Sequence, residues 1–130
     1  MNKREIMQRL RNLGLPKTEY WLVAGGAMVL YGIKPETRDI DLGCTEKLAD
    51  RLEEEGYPTE RTADGSRRFA IGSEVEIFEE WLFDRVEHVD GFPVISLAGL
   101  LMMKQSLGRE KDRDDIASIK RFLKNRPPHI

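Results

Sequence analysis

The chain has almost no cysteine, little histidine and no surplus of either charge, and each shortage removes a class of function. Cys44 is the only cysteine. It has no internal disulfide partner and cannot build a cysteine metal site alone. The two histidines, His88 and His129, stand isolated, without metal-ligand spacing to each other. Lys and Arg number 21 against 23 Asp and Glu, a net charge of −2. That balance argues against a protein that coats nucleic acid nonspecifically, and leaves any such contact to a local basic patch. Long apolar runs are also missing. The two longest, 22–31 and 93–103, are too short and too interrupted to cross a bilayer, so no membrane partner is expected. The opening Met1-Asn2-Lys3-Arg4-Glu5 runs into a charged amphipathic pattern without a signal-peptide core, and the expected setting is reducing and cytoplasmic. No G-x-G-x-x-G or P-loop pattern occurs, which leaves a Rossmann or Walker-type site unsupported.

What is present suits one soluble globular domain. Apolar residues make up 40% and charged residues 34% of 130 residues, and no linker or repeat divides them, so 1–130 is read as a single domain. Asn2 with Glu5 three residues on predicts a capping box for a helix over 3–13, with Ile6, Met7, Leu10 and Leu13 on one face. Residues 20–23 read as a strand, Gly25-Gly26 as its break, and 27–31 as a buried helix. Residues 38–44 alternate, with Asp39, Asp41 and Gly43 on one side and Ile40, Leu42 and Cys44 on the other, as a half-buried strand does. Thr45 caps a helix to about residue 55, with Leu48 and Leu52 inward. Strands flank the Asp64-Gly65 turn, another spans 74–78, and 92–95 is read as a short edge strand. Ser96 caps an apolar helix to about 107, Gly108 breaks it, and a last helix covers 112–124 before Pro127-Pro128. The fold class expected is α+β, a small mixed β-sheet flanked by helices.

Two features carry chemistry. Asp39 and Asp41, two apart on a strand, point to the same face. Side by side they repel, and each raises the other's pKa unless a cation lies between them. Hard oxygen ligands suit Mg²⁺, which takes one or two carboxylates plus substrate phosphates, and two such ions can serve one in-line displacement. Glu76, between Val75 and Ile77, is the candidate third acid, with Glu74 as runner-up. A D-x-D alone is often only a solvated strand edge, so context has to carry it. The second feature is Gly25-Gly26 at a strand-to-helix turn, where backbone N–H groups and a helix start favour an anion. Twelve residues lie between Gly26 and Asp39, so phosphates would lie between the glycine turn and the metal.

Val23-Ala24-Gly25-Gly26-Ala27 followed by Asp39-Ile40-Asp41-Leu42 resembles the signature of the polymerase-beta-type nucleotidyltransferase superfamily. The small branch that includes toxin-type nucleotidyltransferases of abortive-infection systems is the most similar, and Thr37 suits it. Lys104, then Arg109-Glu110-Lys111-Asp112 and Asp115, is similar to the R-x-K-D-x-x-D ending of that branch, so the resemblance runs from Trp21 to Phe122. It implies a nucleotidyltransferase-like fold. It also implies Asp39, Asp41 and Glu76 as metal ligands for Mg²⁺ and Gly25 and Gly26 on the nucleoside triphosphate. Lys104 and Lys111 would lie near phosphates or the acceptor. The implied reaction is attack of an acceptor hydroxyl, on RNA, protein or a small molecule, at the α-phosphorus of an NTP. Two positions depart from the pattern: Gly26 stands where serine is frequent, and Glu76 where aspartate is usual. The alternative is a catalytically weak nucleotide-binding or regulatory component of a toxin–antitoxin-type pair, with a protein partner encoded nearby.

The remaining residues carry bland expectations. Asp112 and Asp115 are read as caps of the last helix, and the basic residues of the C-terminal third as a solvated face apart from Lys104 and Lys111. Cys44 is read as a buried, inert thiol. Trp21 and Trp81 are read as core or rim aromatics, with Trp81 the one able to line a base pocket.

Overall fold

The computed structural model describes residues 1–125; Arg126, the Pro127-Pro128 stop and His129 lie outside the described residues. Helix α1, Lys3–Leu13, starts on the expected capping box: the Asn2 side chain accepts from Glu5 N–H, and Glu5 accepts from Asn2 N–H. Gly14, in the left-handed conformation, ends it. Strand β1, Tyr20–Val23, is buried throughout and leads directly into α2, Ala24–Leu30. The helix was expected to follow the glycines; instead Gly25 and Gly26 form its first turn.

Strand β2 is Ile40–Cys44 and α3 is Glu46–Glu54, capped by Thr45, whose hydroxyl accepts from Leu48 N–H. Asp39 therefore sits just ahead of β2 rather than within it. Strands β3, Thr59–Arg61, and β4, Arg67–Ile71, make the hairpin across Asp64-Gly65, and β5 is Val75–Glu79. Strand β6, Val86–Val89, was not anticipated; it pairs antiparallel with β7, Phe92–Ile95. Helix α4, Leu97–Leu107, begins on the Ser96 cap and stops at Gly108. A 3₁₀ turn, Glu110–Asp112, then leads into α5, Arg113–Asn125.

The seven strands form one mixed sheet in the order β3-β4-β5-β2-β1-β7-β6, which confirms the α+β class. Strand β1 runs antiparallel to β2 and parallel to β7, and β2 runs parallel to β5. Strand β7 is thus internal, and the edge role expected of it falls to β6. Ile40, Leu42 and Cys44 of β2 and Ile77 of β5 are fully buried, as are Leu48 and Ala49 of α3. Helix α2 lies against β1, β2 and β7 and also touches α1 and α4. At the far end, buried Arg67 ties β4 to α3 and β5 through Asp50, Glu53 and Glu79, at 2.8, 2.7 and 2.6 Å. Three carboxylates sharing one desolvated guanidinium satisfy the rule that a buried charge needs partners.

Candidate active site

The opposite face of the sheet gathers the acids. Alternation along β2 puts Asp41 and Gly43 away from the buried Ile40–Leu42–Cys44 side. Asp41 lies in register with Glu76 of β5 on one flank and with Val23, the last residue of β1, on the other. The N–H of Ile40 donates to the carbonyl of Glu74 at 2.8 Å, which fixes where β2 starts and so where the exposed Asp39 stands beside it. The three sequence-selected acids therefore come from adjacent backbone positions at one end of the parallel β2–β5 pair.

Their electrostatics match that placement. Burial pushes Asp41 up to about 6, and the charges of Glu76 and Asp39 push in the same direction. Lys104 and Arg109 pull the other way and do not win. A half-buried carboxylate between two others favours whatever cation or proton will neutralise it. The donor set is all carboxylate oxygen, which fits a hard divalent cation. Among the described residues, however, no three His, Cys, Asp or Glu side chains stand in an arrangement that would hold a metal ion. Glu76 has a cationic partner already. Its carboxylate accepts from Arg68 of β4 at 2.9 Å, and Arg68 also bonds Glu60 of β3 at 2.7 Å. Glu74, the runner-up, pairs with Arg9 of α1 at 2.6 Å.

The glycines adjoin Asp41, because Val23 opposite it is followed at once by α2. No side chain caps this helix start, and Ala24 takes a left-handed φ of 54°. Such a conformation is unusual for a residue with a Cβ and clusters at functional sites. Gly25 and Gly26 have a packing reason as well. A Cβ on Gly25 would stand 2.5 Å from Thr37 Oγ1, and one on Gly26 2.8 Å from Leu22.

Lys104 and Lys111 part company. Lys104 is buried and bonds Asp112 at 3.2 Å and Asp115 at 3.0 Å. Arg109 grips the same Asp112 at 2.7 and 3.1 Å, and Lys34 pairs with Asp115 at 2.7 Å. The hydrogen bonds and charges of Arg109 and Lys104 hold Asp112 down to about 2. Asp112 and Asp115 are thus the anionic half of a network joining α4, α5 and the loop after α2, more than helix caps. Lys111 is exposed on the 3₁₀ turn. Sequence reasoning gave no site role to Arg109 and passed over Arg68 altogether. Arg109 lay within the quoted C-terminal motif; Arg68 has no signal without the β4–β5 register.

The aromatic expectations hold. The Trp21 indole N–H donates to the Trp81 carbonyl at 2.8 Å, crossing β2 at Gly43, where a Cβ would lie 2.0 Å from Trp21 Nε1. Trp81 also packs on Phe78, centroids 4.6 Å apart, beside a cavity of about 290 Å³ that Thr62, Asp64, Ser66 and Arg67 also line. Asp39, Asp41, Glu76, Gly25 and Gly26 do not line that cavity. Cys44 is buried, and burial pushes its thiol up to about 12, as befits an inert side chain.

No protein-family model matches the chain, and no curated protein matches it. Solved structures do. The fold is shared with a nucleotidyltransferase candidate from Thermotoga maritima, at 19% identity, a TM-score of 0.58 and 97% of each chain covered. The chain is also similar to the lincosamide antibiotic adenylyltransferase LnuA in its lincomycin-bound form, at 19% identity over 89% of this chain and 92% of that one, with a looser TM-score of 0.45. At these identities the first likeness is one of fold: the chain has a nucleotidyltransferase-type architecture. Among the described residues no helix is long and apolar enough to cross a membrane.

Proposed function

We propose that the chain is a Mg²⁺-dependent nucleotidyltransferase that moves an NMP from an NTP to an acceptor hydroxyl. The observation that carries this is the register of Asp41, with Glu76 on one side and the strand end that opens into Gly25-Gly26 on the other. Asp39 and Asp41 would hold the cation, and Glu76 would complete the set. The uncapped start of α2 would receive the phosphates, since its N–H groups and dipole favour an anion. Bound there, Mg²⁺ would stabilise charge on the transferring phosphoryl group. The chain's own part is to hold three carboxylates at one strand end, keep Asp41 half-buried and present the glycine turn beside it. Lys104 would act on the site by its field from within the α4–α5 network, and exposed Lys111 by contact with phosphate or acceptor. The candidate acceptors are RNA, protein or a small molecule, and the narrower assignment is the toxin-type branch of the superfamily.

A second reading has an observation in its favour. Arg68 already occupies Glu76, which suits a catalytically weak nucleotide-binding component of a toxin–antitoxin pair. Incubation with each α-labelled NTP, Mg²⁺ and RNA or protein acceptors separates the two. The transferase reading expects label on an acceptor, lost in Asp39→Ala and Asp41→Ala. NTP binding without label on any acceptor would favour the second.

A further inference from the structure

Arg68 stands where it can decide whether Glu76 is available. It lies on β4, two residues from Ala70, which is the register partner of Glu76. Diagonal neighbours on one sheet face are within reach of long side chains. One guanidinium nitrogen is 2.9 Å from a Glu76 oxygen, and the other is 2.7 Å from Glu60, directly across on β3. The side chains of Arg68 and Glu76 are 37% and 42% exposed, and that of Glu60 is 73% exposed.

Resting on the transferase reading above, we propose that Arg68 is a positioning residue that latches Glu76 in place of a divalent cation and withdraws to Glu60 when that cation binds. Three observations support the exchange. Glu76 and Asp41 are two carboxylates in register on adjacent strands, and the Arg68 guanidinium already supplies the positive partner that such a pair attracts. The Arg68–Glu76 pair is half-exposed, and exposed pairs are weak enough to be surrendered cheaply. Glu60 already holds the second nitrogen, so release does not strand the guanidinium. Arg67 next door shows the contrast: buried and shared among Asp50, Glu53 and Glu79, it has no comparable freedom.

The test is the dissociation constant of Mn²⁺ for the whole chain, read from the free-ion electron paramagnetic resonance signal at low salt. Arg68→Gln is expected to tighten Mn²⁺ about two- to fivefold, the scale of an exposed ion pair removed as a competitor. Arg61→Gln removes the same charge from β3, where Arg61 bonds the Gly65 carbonyl, and is expected to leave the constant unchanged. In the wild type, Mg²⁺ should also shift the Arg68 guanidinium resonances in NMR spectra. No tightening in Arg68→Gln, or equal tightening in Arg61→Gln, overturns the latch while leaving the transferase reading intact. Wild type binding Mn²⁺ no better than Asp39→Asn/Asp41→Asn overturns both.

Discussion

Asp41 is the residue on which the electrostatics converge. Its pKa of about 6 lies above the ordinary 3.8, so the folded chain holds a proton there more tightly than the unfolded chain does. The stabilisation from that proton is complete below about pH 4 and is lost as pH rises through about 6. At pH 7.5 the ionised Asp41 therefore costs stability, on the order of 2–3 kcal/mol. Asp41→Asn should abolish nucleotidyl transfer yet raise the thermal midpoint at pH 7.5, measured by calorimetry; an unchanged rate with a lowered midpoint would contradict the role. A divalent cation competes with that proton. Mg²⁺ should accordingly raise the midpoint of the wild type more at pH 7.5 than at pH 5, and a pH-independent shift would point to binding elsewhere. Asp112 shows the opposite sign. Its pKa of about 2 means its contribution is present above about 3.8 and lost only as pH falls through about 2.

At the scale of elements, the C-terminal helices are joined by charge as much as by apolar packing. Asp112→Asn leaves Lys104 and Arg109 short of a shared buried partner and should cost about 2–4 kcal/mol in urea unfolding. A loss below about 0.5 kcal/mol would show that Asp115 takes over the lysine. The sheet centre has its own constraint at Gly43. Gly43→Ala forces Trp21 off β2, so about 1–3 kcal/mol should be lost together with a change in tryptophan emission. Much at this level was legible in the sequence. The Asn2–Glu5 box, the Thr45 and Ser96 caps and the Asp64-Gly65 turn are local signals, and each produced the expected boundary. Strand β6 was not legible from its pattern, since Val86-Glu87-His88-Val89 does not alternate. Its readable mark was the Asp90-Gly91 turn, where both residues take positive φ, as a tight hairpin demands.

Across the whole molecule, the sequence selected the candidate residues but not the partners they take in the fold. Asp39, Asp41, Gly25 and Gly26 are close in sequence, and the β1–β2 hairpin-like pairing keeps them close in space. Glu76 joined them because hydrophobic flanks marked it as a strand residue facing the open side. The strand order that puts β5 next to β2, and Arg68 next to Glu76, is a long-range pairing that no local pattern encodes. Lys104 was selected from a motif, and its burial between two aspartates emerged only from the docking of α4 on α5. The direct measurement is a crystal structure with Mg²⁺ and a non-hydrolysable NTP analogue. The expected result is a cation on Asp39 and Asp41, with the triphosphate running to the N–H groups of Gly25 and Gly26. A nucleotide bound elsewhere, or none at saturating concentration, would contradict the assignment of this strand end as the active site.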